Sequence, residues 1–474
     1  MEILTQERID QFLHLLRQNG IETHAITIYQ QDKCLLNRAF FPYEVTALHP
    51  LYSVSKSFLS AAVGYLVVDG RVDLNTPWLT YCPEYADKVV DSRFKDVTVR
   101  HLLTMNLGQD NEAVMHGSDD WAENTVAKRM TYQPGTKFFY NSMCSHFLSV
   151  MVQDITGQKV VDFLAKRLFE PLGITNYYWE EDLLGHNTYG FGLHLATQDL
   201  AKYGLCLLHH GVYNGEQVIP ESWVVAATAK QVENASEYPV ARSENRQGYG
   251  YQFWMCTHDA FRCSGLHGQL CFVQPKNQLV IAMSNATTGS QAVLNCLFEA
   301  MDYPKTVEPF TEFSIPMAGG KASSCDTIAL QGTLSAMANP AGITKLSIQQ
   351  EDTSRLRMVF YRGTEQFSFS AGYGEWLRQQ DNWDGFSTFI AADSMKEMPR
   401  LSGQDVLFAS YGWLSDSTLE IRMRALDRSA GYTLLFTVDK KYLTLHYSVN
   451  ALYSPFTSFD VTFCGNAPSH KIII

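Results

Sequence analysis

The chain has 474 residues, 46% of them hydrophobic and 18% charged, with 31 Gly and 16 Pro. That is ordinary globular composition, and the length suits two or three domains, each able to bury a real core. The formal net charge of −12 is spread along the chain without a long basic run, which argues against nucleic acid or an anionic membrane as partner.

No apolar run approaches 18 residues, so no membrane span is expected. The N-terminus, Met1 to Asp10, is charged throughout and lacks the basic-then-apolar plan of a secretory signal. The ten cysteines are scattered with no Cys-x-x-Cys pair, and read as free thiols in a reducing cytoplasm.

In chain order, residues 6–19 have the spacing of an amphipathic helix, and Ala25–Tyr29 reads as a strand ending in a turn at Gln30–Lys33. From Ser53 to about Leu195 the pattern is mostly helical, with polar loops near 107–122 and 180–192. Asp199–Leu208 reads as another helix. Strands are expected at Tyr249–Trp254, Gly268–Val273 and Leu279–Ser284, with Gln274–Asn277 as the turn between the last two. A helix near 289–302 follows. Residues 304–326 are rich in Pro, Gly and Ser and mark a linker. Beyond it, short runs alternate apolar and polar, with strand candidates at Leu356–Phe360, Thr418–Met423, Tyr432–Phe436 and Leu443–Tyr447. The C-terminal part therefore reads as a separate all-β barrel or sandwich.

The most informative stretch is Leu51-Tyr52-Ser53-Val54-Ser55-Lys56-Ser57-Phe58. It sets a serine three residues before a lysine at the start of an apolar helix, so the two side chains share one face. A serine hydroxyl is a weak nucleophile until a neighbouring base takes its proton, and a partly buried lysine is such a base. The helix N-terminus also favours negative charge developing nearby. The same spacing at Ser92 and Lys95 lies in a polar stretch and reads as accidental. The apolar run from Phe58 to Val68, closed by Asp69-Gly70, is what distinguishes the first.

A second constellation is Pro134-Gly135-Thr136-Lys137-Phe138-Phe139-Tyr140-Asn141-Ser142, just before an apolar helix. Together with Ser53 and Lys56 it resembles the serine β-lactamase and penicillin-binding-protein-like hydrolases, which carry Ser-x-x-Lys and then Tyr-x-Asn. The resemblance implies that Ser53 is the nucleophile, Lys56 its base and Tyr140 a general base or acid that reaches the leaving group. The chain departs from that pattern at Ser142, which stands in place of the asparagine, with Asn141 one position earlier. Both are carried as substrate-binding candidates. The family's third motif, Lys-Thr-Gly or His-x-Gly, has its nearest match in Ser264-Gly265-Leu266-His267-Gly268-Gln269. Leu266, His267 and Gly268 are the expected oxyanion and substrate contacts, with His267 in place of the lysine. The resemblance covers roughly residues 20–300. Val97–Asn106, Asp199–Gly204 and Ile219–Val224 also look like segments of this family.

The implied fold is α+β: an antiparallel sheet flanked by helices with a helical subdomain over it, followed by an all-β barrel-like domain. The expected division is a catalytic domain at 1–305 (helical subdomain about 58–195), a linker at 306–326 and an accessory β domain at 327–474. No Gly-x-Ser-x-Gly elbow, His-Glu-x-x-His or nucleotide loop is present, so no cofactor and no metal are expected. The expected activity is cleavage of a small ester, amide or peptide through a Ser53 acyl-enzyme. A true β-lactamase, a D-amino-acid peptidase and a weakly catalytic scaffold that keeps the fold stay open, as does a homo-oligomer.

Overall fold

The computed structural model describes residues 4–110, 119–188, 190–320, 332–380, 383, 406–426, 429–439, 442–450 and 458–465. The chain divides into two compact units. Among the described residues, one comprises 4–39 and 44–312, the other 40–43 and those from 313 onward.

The first unit is built on a six-stranded antiparallel sheet. Its strands are β1 (Glu22–Gln30), β2 (Lys33–Ala39), β3 (Trp254–Cys256), β4 (Ala260–Ser264), β5 (Leu270–Gln274) and β6 (Leu279–Ala286), in the order β2-β1-β6-β5-β4-β3. Every residue of β5 and β6 is buried, so both faces of the sheet are covered. The cover comes from α1 (Gln6–Gln18), α4 (Thr197–Leu208) and α5 (Ser290–Asp302), numbered with α2 (Ser55–Val68) and α3 (Ser142–Thr156). Helix α1 starts where the Thr5 hydroxyl accepts from the Arg8 N–H, and it packs on α5. Helix α4 lies on β1, β5 and β6, with the Thr197 hydroxyl 2.7 Å from that of Ser284.

Helix α2 is buried along nearly its whole length, from Ser55 to Leu66. It packs on α3, whose N-terminus is capped by the Asn141 amide oxygen accepting from the Met143 N–H at 2.9 Å. Helix α3 ends at Gly157, in the left-handed conformation (φ 68°) that suits glycine at this position. Short helices at Val99–Leu103, Trp121–Val126 and Val160–Leu164 pack against α3.

Three expectations are corrected here. Tyr249–Phe253 is not a strand: Gln252, at φ 68°, folds the run back, and its buried amide donates to the Leu102 and Leu103 carbonyls. Only Trp254–Cys256 is extended. The strand expected at Gly268–Val273 begins at Leu270, because Leu266–Gly268 forms a tight turn with His267 at φ 58°. Ser53 also precedes the helix. It lies in a single 3-10 turn, Tyr52–Val54, entered through Tyr52 at φ 47°.

The second unit is a β-barrel. Nine strands, with the pairs at its seam formed by Glu365–Tyr373 and Val406–Ser415, close on themselves. Closure comes from a parallel pairing of Gly372 and Tyr373 with Ser410 and Tyr411, and a tenth strand, Leu377–Gln380, pairs beside it. The alternation expected from sequence is visible in Tyr442–Val449, whose odd-numbered residues Leu443, Leu445, Tyr447 and Val449 point into the core. Phe360, Phe369, Ile421 and Phe436 meet them there. This unit also takes in Phe40–Tyr43: Phe41 exchanges backbone hydrogen bonds with Phe313 and Ile315. The remainder of the expected linker, 321–326, lies outside the described residues.

Candidate active site

Ser53 and Lys56 face each other as the spacing requires. The Lys56 Nζ lies 3.0 Å from the Ser53 hydroxyl oxygen. Lys56 is 1% exposed, and an amino group so buried is tolerated only where it is hydrogen-bonded. Its Nζ also donates to the Ser142 hydroxyl at 3.3 Å and to the Gly190 carbonyl at 3.0 Å. The Tyr140 ring centroid is 5.0 Å from Nζ.

Each of these groups is set by a different element. Ser53 comes from the turn before α2, and Lys56 from its first turn. Ser142 is the first residue of α3, and Tyr140 lies just before it. Gly190 belongs to the segment leading into the short strand Leu193–Leu195, which pairs with His49–Pro50. Two hydrogen bonds fasten that segment to the nucleophile turn. The Leu51 N–H donates to the Leu193 carbonyl at 2.8 Å, and the Leu193 N–H donates to the Ser55 hydroxyl at 3.0 Å.

Gly190 is required on two counts. Its φ is 69°, and a Cβ there would stand 2.6 Å from both Cγ and Nζ of Lys56. Glycine is equally needed at Gly265, where a Cβ would meet the Leu51 carbonyl oxygen at 2.2 Å. The end of β4 therefore passes directly against the turn that carries Ser53.

Aromatic side chains wall the site beside Tyr140. Trp254 stacks on it with centroids 5.1 Å apart, and Tyr249 meets it edge-on at 6.2 Å. Burial, and secondarily Tyr140, pushes the Tyr249 hydroxyl well above its ordinary value, so it stays protonated. Trp254 is backed by the buried Arg262 guanidinium, 5.5 Å from its ring.

The structure thus brings Ser53, Lys56, Tyr140 and Ser142 together. Asn141 lies at the same turn with its amide oxygen engaged as the cap of α3. Of the third-motif residues, Leu266 directly follows the Gly265 approach. The His267 ring is buried against Tyr52, centroids 5.1 Å apart, and burial followed by His24 pushes its imidazole down to about 4. Gly268 faces Asn285, whose amide donates to the Gly268 carbonyl at 2.6 Å. Gly190, Trp254 and Tyr249 were not singled out from sequence. Gly190 is 134 positions from Lys56, and no local pattern marks it.

Two groups of donor atoms among the described residues are close enough to hold an ion: His146, Asp182 and His186, and Cys82, Glu84 and Asp154. Within the first, burial raises the Asp182 carboxyl, but the hydrogen bond from His186 and the nearby imidazoles outweigh it and leave it below its ordinary value. Burial pushes the His146 imidazole down to about 3, against the pull of Asp182.

Comparison with known proteins agrees with this geometry. The Beta-lactamase family model matches residues 6–299. The 6-aminohexanoate-dimer hydrolase of Paenarthrobacter ureafaciens is 27% identical over 257 residues, which are 49% of this chain and 64% of that protein. Protein flp of Staphylococcus aureus (strain NCTC 8325 / PS 47) is 22% identical over 210 residues, 39% of this chain and 42% of flp. The chain thus spans less than two thirds of the length of these curated relatives. Among solved structures, EstCE1, a hydrolase with promiscuous acyltransferase activity, superposes with a TM-score of 0.52 at 12% identity, covering 62% of this chain and 98% of EstCE1. A putative β-lactamase from Bacteroides dorei DSM 17855 gives a TM-score of 0.51 at 15% identity, covering 62% of this chain and 97% of that one. These two likenesses show the fold, a β-lactamase/transpeptidase-like sheet and helices. With its family match spanning well over half of its length and with Ser53 and Lys56 in contact, the chain belongs to the Beta-lactamase family.

Proposed function

We propose that this protein is a serine hydrolase that cleaves a small ester or amide through an acyl-enzyme on Ser53. The observation that carries the reading is the 3.0 Å contact between the Ser53 hydroxyl and a buried lysine amine. A buried amine at hydrogen-bond distance is in reach to take the hydroxyl proton as the oxygen attacks a carbonyl. The resulting tetrahedral oxyanion needs two donors. The Ser53 N–H supplies one, and we assign the other to the Leu266 N–H, the first residue past the Gly265 approach. Each such donor typically contributes about 3–4 kcal/mol to the transition state. Tyr140 gives its phenolic proton to the leaving alcohol or amine as the carbonyl–heteroatom bond breaks, and the proton held by Lys56 replaces it. Water then attacks the ester on Ser53, returns the proton to the hydroxyl and releases the acid.

The relatives support the substrate class. One is named for hydrolysis of an aminohexanoate dimer, an amide, and one structural neighbour is a hydrolase with acyltransferase activity. The partly exposed Tyr140 ring, backed by the buried Trp254 and Tyr249, suits an acyl or amine part with apolar surface. No described helix is long and apolar enough to cross a membrane. Among the described residues no cysteine is disulfide-bonded, which supports a reducing cytoplasmic setting.

The test is turnover of a p-nitrophenyl ester, an anilide and a penicillin by the protein and by Ser53→Ala. Ester or anilide turnover that Ser53→Ala abolishes is expected. Turnover of the penicillin alone would move the assignment to a β-lactamase, and turnover that survives Ser53→Ala would refute a Ser53 acyl-enzyme.

A further inference from the structure

We infer that Asp182, clamped between His146 and His186, is a positioning residue that fixes the Gly190 carbonyl against Lys56. The inference rests on the serine-hydrolase reading and extends it to a cluster outside the reacting groups.

Asp182 turns a hairpin that leads to Gly190. Its N–H donates to the His186 carbonyl at 2.9 Å, and its Oδ1 accepts from the N–H groups of Leu184 and His186, each at 2.9 Å. Further along, the Thr188 N–H donates to the Glu180 carbonyl at 2.8 Å, and the Glu180 N–H donates to the Gly192 carbonyl at 2.9 Å. Gly190 is therefore bracketed by two residues tied to Glu180.

The second carboxylate oxygen fastens this hairpin to helix α3. Asp182 Oδ2 lies 3.1 Å from His186 Nδ1 and 3.7 Å from His146 Nε2. The Ser149 hydroxyl adds a second tie, donating to the Asn187 carbonyl at 2.9 Å. Ser142, His146 and Ser149 stand at i, i+4 and i+7, on one face of α3. The first touches Lys56, and the other two hold the hairpin whose Gly190 carbonyl also touches Lys56. One helix face thus sets two of the oxygens at the lysine, those of Ser142 and Gly190. Asp182 and His146 are 0% and 1% exposed. A carboxylate so placed is costly without partners, and its two imidazoles and two backbone donors restrict it to a single geometry.

The experiment measures the rate constant and the end point of fluorophosphonate labelling, and kcat and KM with the ester, for the protein, Asp182→Asn and His186→Gln. His186 is the more exposed partner and guards against an Asp182 variant that fails to fold. Asp182→Asn is expected to slow labelling and lower kcat on the order of 10- to 100-fold, the cost of a misplaced reacting group. KM and the labelling end point stay near the parent values. His186→Gln moves the same quantities in the same direction by less. A merely structural role would lower the end point and leave the rate constant of the folded fraction unchanged, which overturns the inference. One tightly bound divalent ion per chain, removed by His146→Ala, overturns it in favour of a metal site. A parent protein that takes no label defeats the serine-hydrolase reading itself, and the inference with it.

Discussion

At the scale of single residues, the site is organised around one buried amine. Lys56 Nζ is within hydrogen-bond distance of oxygens of Ser53, Ser142 and Gly190, which separate segments supply. The serine and the lysine were legible because their relation is local and helical. Tyr140 was legible because it lies in a short run with a known resemblance. Gly190 was not, since its role depends on a contact 134 residues away and on the absence of a Cβ. Gly190→Ala puts a methyl group 2.6 Å from Lys56 Nζ in a left-handed backbone, so the lysine must move. Fluorophosphonate labelling of Ser53 should slow by about 100-fold or more while the circular dichroism spectrum is retained. An unchanged labelling rate would mean that the Gly190 carbonyl does not position the lysine.

At the scale of elements, α2 shows packing overriding propensity. Gly64 sits inside a buried helix, where alanine would ordinarily gain about 1 kcal/mol. Here a Cβ would stand 2.3 Å from the Trp223 ring. Overfilling a packed core costs about 1–3 kcal/mol, so Gly64→Ala should destabilise the protein by about 2 kcal/mol, read as a lower urea midpoint. A raised midpoint would show that Trp223 moves aside freely. The strands that sequence missed fail for related reasons. Strand β4 carries Arg262 at its centre, a buried guanidinium that donates to the Glu244 and Met255 carbonyls, and this breaks the apolar pattern. Strand β2 is an edge strand without alternating burial. The aromatic run Tyr249–Phe253 has strand composition, yet Gln252 folds it into a turn through contacts distant in sequence. Where one face was buried and the other wet, as in Tyr442–Val449, alternation and structure agree.

At the scale of the whole molecule, the family and the architecture follow from motifs that keep their order along the chain, and acid stability follows from buried imidazoles. Burial, aided by His24 and His194, holds His49 well below the ordinary value of 6.5, and burial with His24 holds His267 at about 4. The unfolded chain therefore takes up protons first as the pH falls. Stability is full above pH 6.5 and declines toward pH 4, with His267 alone accounting for about 2 kcal/mol at pH 5. A urea midpoint that stays level from pH 7 to pH 5 would contradict the burial of these rings. The most direct measurement of the central claim is the intact mass of the protein after exposure to a fluorophosphonate, followed by mapping of the modified residue. One adduct per chain on Ser53, absent from Ser53→Ala and sharply slowed in Lys56→Met, is the expected result. No adduct, or an adduct on another residue, would contradict an activated Ser53.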